Sequence, residues 1–298
     1  MLLNNSWRTV ALLAILTTAA CQSEPIPMSG QADGWPRRVL ITNDDGIESP
    51  ATLRLAAAFS GLAETYLIAP AGNQSSGTNF SDAARTGRFH VERRDMGPGI
   101  TAWAVDGFPA DCVYFALAGP MHDSIPDLVI SGVNTGANLA DAWVLSGTIG
   151  AARIAAYYGV PAIAVSGVDN DDPQAVDAVA AWVVEFARSE VVRHLRAPQF
   201  LTVSLPVGSV SGIQGIEVAE RGRGLRSMTA SRILEPGETP GTEVWSFDVV
   251  RDAFPPSPNT DAGVVGKGSI AIVAMRVDEG DPALHQWLIR NKDLIPVW

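Results

Sequence analysis

The chain has 298 residues, of which 47% are hydrophobic and 18% are charged. This composition is neither that of a disordered protein nor that of a fibrous one, and the length suits one large globular domain or two small ones. The formal net charge of −11 argues against binding of duplex nucleic acid through its phosphates, because such binding needs a basic surface that displaces counterions.

The N-terminal segment is typical of an export signal. Arg8 precedes an apolar run from Val10 to Ala20, which is shorter than the roughly 20 residues that span a bilayer. The two alanines before Cys21 are small, as signal cleavage requires, and with the cysteine they resemble the lipobox of bacterial lipoproteins; Thr18 stands where that family usually has Leu. We therefore expect residues 1–20 to be a signal peptide and Cys21 to be lipidated, with simple cleavage as the alternative.

Residues 21–36 contain "SEPIPMSGQADGW", which is rich in Pro, Gly and polar residues. Such a composition predicts a flexible tether between an anchor and a domain. The folded domain is accordingly expected over residues 37–298.

Cys112 is the one cysteine left after the predicted lipidation site, so the mature chain could form no internal disulfide. Its apolar setting, "DCVYFALAG", predicts a buried core residue rather than a reactive thiol. The four histidines are scattered, and no Cys/His pattern has the spacing of a zinc site.

Apolar runs of strand length alternate with longer helical patterns beyond residue 37. Strands are predicted at "RVLIT", "TYLIAP", "DLVIS", "PAIAVSG" and "FLTVSLP", and helices at "SPATLRLAAAFSG", "SGTIGAARIAAYYG" and from about Pro173 to Leu195. This order predicts βαβ units, so the expected fold class is α/β, a three-layer, doubly wound and largely parallel sheet. The final third, Gly212 to Val277, contains alternating stretches such as "TEVWSFDVV" and "GSIAIVAMRV", which predict antiparallel strands or a hairpin excursion.

Oxygen-bearing side chains follow three of the predicted strands. They are Asn43, Asp44 and Asp45 after the first strand, Asn73, Ser75 and Ser76 after the second, and Asn134 and Asn138 after "DLVIS". Because ligands bind beyond the carboxyl ends of parallel strands, these residues are expected to meet at one edge. An all-oxygen site suits magnesium, manganese or calcium, and the cation would offset the repulsion between the adjacent carboxylates. Taken alone, "NDDG" is also what a simple turn requires.

The segment "LSGTIGAARIAAYY" places Ser146, Gly147 and Thr148 at the start of a helix. Unpaired N–H groups and the helix dipole favour an anion such as phosphate there, although an ordinary N-cap would have the same residues. A metal on one wall and phosphate on the other indicate hydrolysis by a metal-activated water.

Five blocks together resemble one known family. They are "ITNDDGIESP", "APAGNQSSG", "FPADCVYFAL", "PDLVISGVNTGANLADAWVLSGTIGAARIAAYYGVPAIAVSG" and "GSIAIVAMRVD". In the same order and at similar spacing, from about Arg37 to Asp278, they are similar to the SurE family of metal-dependent nucleotidases. The resemblance implies a catalytic metal held by Asp44, Asp45, Ser75 and Asn134, and a phosphate pocket formed by Asn43, Asn138, Ser146, Gly147 and Thr148.

The resemblance also implies substrates and partners. Members of the family hydrolyse nucleoside 5′- and 3′-monophosphates, and some hydrolyse short polyphosphate, with one manganese or magnesium ion per subunit. They form dimers or tetramers through an exchanged C-terminal segment, which here would fall within Arg226 to Asp261. Ala71 and Gly72 depart from the family's "APDRNQSG", and "GANLADAW" lacks the second Asp of "NxGDD", which affects the rim of the site rather than a proposed ligand.

Several functions remain open from the sequence. We favour a metal-dependent 5′-nucleotidase; the alternatives are a non-catalytic nucleotide- or phosphate-binding lipoprotein and a phosphatase of the exopolyphosphatase type. An aspartyl-phosphate mechanism fits less well, because it requires two Asp separated by one residue and here they are adjacent. The family is mostly cytoplasmic, whereas the N-terminus predicts a periplasmic or cell-envelope lipoprotein that meets the membrane only through its lipid anchor.

Overall fold

A computed structural model describes residues 34–206, 208, 210–223, 226–233, 243–251, 256–278 and 282–292. The predicted signal peptide, Cys21 and residues 22–33 of the predicted tether lie outside these ranges. Within the described ranges, no helix combines the length and the hydrophobicity needed to cross a bilayer.

Eleven strands lie in the described part of the chain. They are β1 (Arg38–Thr42), β2 (Glu64–Pro70), β3 (Val91–Arg94), β4 (Ile100–Val105), β5 (Leu128–Thr135), β6 (Ala162–Val168), β7 (Gln199–Ser204), β8 (Gly215–Val218), β9 (Arg226–Ile233), β10 (Val244–Arg251) and β11 (Ser269–Arg276). Nine of them form one sheet in the order β3-β4-β2-β1-β5-β6-β7-β11-β8, and β9 pairs with β10 in a separate two-stranded sheet.

The helices of the described ranges lie mainly between successive strands. They are α1 (Pro50–Phe59), α2 (Asp82–Thr86), α3 (Pro109–Ala118), α4 (Gly147–Tyr157), α5 (Pro173–Ala187), α6 (Glu190–Arg193), α7 (Asp261–Gly266) and α8 (Pro282–Arg290), with short 3₁₀ turns at Ala140–Val144 and Val210–Gly212. Local signals explain their starts: Asp172, for example, accepts hydrogen bonds from the first-turn N–H groups of α5, and Pro173 occupies its first position.

The six central strands, from β4 to β7 in the sheet, are all parallel, which confirms the predicted α/β class. The predicted antiparallel C-terminal part is confirmed as well, because β9 pairs antiparallel with β10 and β11 pairs antiparallel with β7. Strands β3, β4, β8 and β9 and helices α2, α3, α7 and α8 were not predicted individually. The single helix predicted from Pro173 to Leu195 is wrong in extent, since Ser189 adopts an extended backbone with ψ of 156° and starts α6 as its N-cap residue.

Helices cover both faces of the sheet, so the architecture has the three predicted layers. Side chains alternate along a strand, and β1 shows the result: Val39 and Ile41 belong to the core cluster that includes residues of α1 and α5, while Leu40 belongs to the cluster that includes α3 and α4. Cys112 of α3 is fully buried, as predicted, and burial raises the pKa of its thiol.

The order of the strands determines where a ligand can bind. The chain leaves β1 for β2 on one side of the sheet, and after β4 and α3 it returns to β5 on the other side of β1. The border between β1 and β5 is therefore a topological switch point, where a crevice opens beyond the carboxyl ends of the strands. Asp44 follows β1 and Asn134 lies at the end of β5, so the predicted ligands lie at this border.

Candidate active site

Asp44 lies directly beyond β1 and is only 3% exposed. The hydroxyl of Thr148, in the first turn of α4, donates a hydrogen bond of 2.6 Å to Oδ1 of Asp44. Burial raises the pKa of Asp44 to about 6; the hydrogen bond from Thr148 opposes this shift, and the charge of neighbouring Asp45 adds to it. Asp44 is thus a carboxylate whose charge is penalised in the metal-free protein, and a cation beside it would remove the penalty.

Asp45 connects the ends of β1 and β5. Its Oδ2 accepts hydrogen bonds from the backbone N–H of Thr135 at 2.9 Å and from the Thr135 hydroxyl at 3.3 Å. Asn134, one residue earlier on β5, donates through Nδ2 to the carbonyl oxygens of Thr135 and Gly136, both at 3.0 Å. Neither bond uses the side-chain oxygen Oδ1 of Asn134, which is the atom that would coordinate a hard cation.

Gly132 is what allows β5 to bring Asn134 to this position. Its φ is +126°, and a Cβ there would overlap the carbonyl oxygen of Val165 on β6. The register between β5 and β6 shifts between Ser131 and Asn134 at the same point. A side chain at this position would be strained and would separate the two strands.

Ser75 lies on the loop that follows β2 and is exposed. The loop is tied to the site at two points: Gln74 N–H donates to the carbonyl oxygen of Asp44 at 2.7 Å, and Thr78 N–H donates to the carbonyl oxygen of Leu145 at 3.2 Å. Ser75 itself uses its N–H to bond the side chain of Asn73 at 2.9 Å. The loop thus runs beside Asp44, and the ligand role of the Ser75 hydroxyl stays a prediction.

Asn43 is fully buried and serves the turn itself. Its Nδ2 donates to the carbonyl oxygen of Gly46 at 2.7 Å and to the Thr52 hydroxyl at 2.8 Å, while its Oδ1 accepts from Gly46 N–H at 3.2 Å. Both ends of the amide hold the "NDDG" turn against α1. The phosphate-binding role predicted for Asn43 stays a prediction, and this geometry supports a positioning role instead.

The first turn of α4 contacts the carboxylates. Ser146 caps the helix, since its Oγ accepts from Ile149 N–H at 3.1 Å. A Cβ added at Gly147 would lie 2.9 Å from both Cβ and Oδ2 of Asp44, so the backbone approaches Asp44 more closely than any other residue type would allow. Both the hydroxyl and the backbone N–H of Thr148 are engaged with Asp44, and the Ile149 N–H is engaged with Ser146, which leaves the Gly147 N–H as the predicted phosphate donor of this turn.

Asn138 supplies a further donor near the end of β5. Its N–H donates to the Ser166 hydroxyl at 3.2 Å, and its side-chain Nδ2 is buried without a hydrogen-bond partner among the described residues. A buried donor left unsatisfied is costly. A bound anion would satisfy this donor, and the phosphate-binding role of Asn138 stays a prediction.

A buried ion pair that the sequence analysis missed holds the Asn138 loop. Arg221 donates from Nη1 to Oδ2 of Asp261 at 2.7 Å and to the carbonyl oxygen of Asn138 at 3.1 Å, and from Nη2 to the Thr202 hydroxyl at 2.5 Å. Asp261, 1% exposed, also accepts from Ala140 N–H at 2.9 Å. The pair therefore fixes the segment after β5. No local sequence signal indicates it, because its members are far apart in the chain.

A polar pocket of about 410 Å³ opens beside Asp45. Its lining includes Glu48, Asn73 and Thr135, and one wall is formed by Ala71 and Gly72, the two residues at which the loop departs from the family pattern. Small residues at this wall leave space next to the carboxylates.

The described residues contain no cluster of three or more His, Cys, Asp or Glu side chains that could hold a metal. A cation at this site would therefore depend on amide or hydroxyl oxygens in addition to Asp44 and Asp45. Such a donor set fits hard cations and does not fit zinc or copper.

The fold and the site define an α/β protein with a carboxylate-bearing crevice at the switch point of its sheet. The family model described as survival protein SurE matches residues 39–227. A relative from Herpetosiphon aurantiacus, named 5′-nucleotidase SurE, is 34% identical over 243 residues, which cover 80% of this chain and 92% of the relative. A relative of the same name from Anaeromyxobacter is 32% identical, over 84% of this chain and 94% of its own.

The chain therefore belongs to the SurE family. The crystal structure of the SurE protein from Aquifex aeolicus is similar in fold, with a TM-score of 0.69 and 23% identity, over 86% of this chain and 100% of that one.

Proposed function

We propose that the protein is a divalent-metal-dependent phosphomonoesterase that hydrolyses nucleoside 5′-monophosphates to nucleoside and phosphate. The observation that carries the proposal is the buried Asp44 carboxylate, next to Asp45 and against the first turn of α4. Membership of a family whose relatives are named 5′-nucleotidase supports it. Nucleoside 3′-monophosphates are a second substrate class to be tested.

Asp44, Asp45, Asn134 and Ser75 would hold one Mn²⁺ or Mg²⁺ per subunit. When bound, the ion polarises the phosphoryl group and lowers the pKa of a water that can attack it. The protein's own contribution is to keep the two carboxylates in place: Thr148 orients Asp44, and Thr135 orients Asp45. Preorganised ligands of this kind need no rearrangement during the reaction.

The phosphate would be bound at the start of α4. The N–H group of Gly147 and the dipole of this 11-residue helix favour negative charge. The buried Nδ2 of Asn138 offers an additional donor. Ser146 and Asn43 would act indirectly, by capping the helix and by holding the turn.

Phosphate release from AMP tests this proposal. We expect the purified protein to release phosphate with Mn²⁺ and to lose the activity with EDTA. A protein that binds AMP, measured by calorimetry, without releasing phosphate would be a non-catalytic binding protein. Faster release from polyphosphate than from AMP would instead favour the exopolyphosphatase alternative.

We also infer that the protein is exported and lipidated, on the strength of Arg8, the apolar run and Cys21. One acyl chain binds a membrane only marginally, whereas the several chains of a lipoprotein, at about 0.8 kcal/mol per buried CH₂, anchor it firmly. Cell fractionation of the wild type and Cys21→Ser tests this. The wild type should pellet with membranes and the variant should not; a soluble cytoplasmic wild type that keeps its N-terminus contradicts the inference.

A homodimer or homotetramer is part of the proposal. Strands β9 and β10 form a separate antiparallel pair, on which Trp245 is 55% and Phe247 65% exposed. Large apolar side chains exposed together are typical of a protein–protein interface. Sedimentation of the wild type and of a Trp245→Glu, Phe247→Glu variant tests this: the wild type should be oligomeric and the variant monomeric.

A further inference from the structure

The pocket beside Asp45 shares its inner wall with the proposed metal site. Asp45 and Thr135, which form the bond between β1 and β5, both line it. Its volume of about 410 Å³ is within the range of small-molecule sites. A group attached to a phosphate at the start of α4 could therefore extend into this pocket.

The charge of the lining restricts what that group can be. Asp45 and Glu48 are the ionisable residues of the lining, and both are acidic. The lining contains no Lys, Arg or His side chain that could bind a second phosphate. The lining also contains no aromatic ring on which a nucleobase could stack. A neutral group rich in hydroxyls fits these conditions.

Two lining side chains have hydrogen-bonding capacity to offer a ligand. Asn73 accepts the Ser75 N–H at 2.9 Å through Oδ1, so its Nδ2 is available as a donor. The Glu48 side chain is 76% exposed and lies 3.7 Å from Arg94, which leaves acceptor capacity on its carboxylate. A donor and an acceptor together suit a diol, in which each hydroxyl can both donate and accept.

Asn170 has a different role in the pocket. Its Nδ2 donates to the Thr135 hydroxyl at 2.6 Å, and its Oδ1 accepts from Ala51 N–H at 3.1 Å. The side chain ties the end of β5 to the start of α1. It therefore shapes the wall rather than binding the ligand.

We propose that this pocket binds the sugar hydroxyls of the substrate, with Glu48 as acceptor and Asn73 as donor. The inference rests on the proposed nucleotidase function and adds a specificity to it. The protein then distinguishes phosphomonoesters by the presence of the ribose diol. Substrates without the diol bind more weakly, while the hydrolysis of the bound phosphate group is unchanged.

The test compares three phosphomonoesters in the presence of Mn²⁺: AMP, 2′,3′-dideoxy-AMP and p-nitrophenyl phosphate. The wild type should have a higher kcat/KM for AMP than for the dideoxy analogue. In Glu48→Ala this ratio should fall about tenfold, as expected for loss of one charge-assisted hydrogen bond, and the change should appear in KM. Activity on p-nitrophenyl phosphate should be unchanged.

Glu92→Ala is the matched control. Glu92 pairs with the same Arg94, at 2.8 Å, but it does not line the pocket. The ratio of kcat/KM for AMP to kcat/KM for the dideoxy analogue should therefore be the same in Glu92→Ala as in the wild type. The inference is overturned if the wild type does not distinguish AMP from its dideoxy analogue, or if Glu48→Ala loses activity equally on all three substrates. A wild type inactive on all three overturns the proposed function, and the inference with it.

Discussion

Replacing Asp44 by Asn should stabilise the metal-free protein and weaken metal binding. Burial raises the pKa of Asp44 from its ordinary 3.8 to about 6. This difference corresponds to about 3 kcal/mol of folding free energy that the ionised group costs above pH 6. Asn keeps an oxygen that can accept the Thr148 hydroxyl bond.

The increase in the free energy of unfolding should be smaller than the full ionisation cost of Asp44. The Asp44 carboxylate also accepts a backbone hydrogen bond from Thr148, and the Asn amide nitrogen cannot replace an acceptor there, which costs about 1 kcal/mol. We therefore expect Asp44→Asn to raise the free energy of unfolding by about 2 kcal/mol at pH 7.5 in EDTA. Urea unfolding measures it.

The pH dependence has a definite sign. Because the folded-state pKa of Asp44 lies above the unfolded-state value, its contribution to stability is fully present below pH 3.8 and is lost as the pH rises through about 6. The wild type takes up a proton at Asp44 when the pH is lowered from 7.5 to 5.5, so the advantage of the Asn variant should shrink over this range.

Added Mn²⁺ should make the wild type more stable than Asp44→Asn. A ligand that binds only the folded state stabilises it, and the stabilisation is larger for the protein that binds the ligand more tightly. The exposed variant Asp177→Asn, which loses only a surface pair with Arg54, should change stability by less than about 1 kcal/mol. The reasoning is refuted if Asp44→Asn is no more stable than the wild type in EDTA, or if both gain equally from Mn²⁺.

Three further substitutions test the site. Asp45→Asn should raise the Mn²⁺ concentration needed for half-maximal AMP hydrolysis while the fold, followed by circular dichroism, is kept; wild-type activity at limiting Mn²⁺ would show that the ligand set is wrong. Gly147→Val should reduce kcat far more than Thr148→Ala, because its side chain would displace Asp44, whereas Thr148→Ala removes one hydrogen bond; equal effects would mean that this turn is only a helix cap. Arg221→Met leaves a buried carboxylate without its counterion and should cost about 3–5 kcal/mol in urea unfolding; an unchanged stability would contradict the buried pair.

Much of the fold could be predicted from the sequence, because its signals are local. The strands β1, β2, β5 and β6 and the helices between them can be recognised from the spacing of apolar residues and the length of apolar runs, within windows of about a dozen residues. Their order then restricts the topology to a parallel, doubly wound sheet. The boundary at Ser189 was missed for the same reason, since a short change of backbone direction leaves little trace in an apolar helical pattern.

The sequence by itself determined which side chains would reach the carboxyl edge of the sheet, because a parallel strand delivers the residues after it to that edge. Only the tertiary structure decided what each of them does there. The Thr148 hydroxyl donates a hydrogen bond to Asp44, which is 104 positions away in the sequence. The Asn43 side chain bonds the turn that it belongs to. Arg221, which follows the edge strand β8, donates to the carbonyl oxygen of Asn138. These partners are set by burial and by the packing of elements distant in the chain, and a hydrogen bond or ion pair between them has no periodicity that the sequence could display.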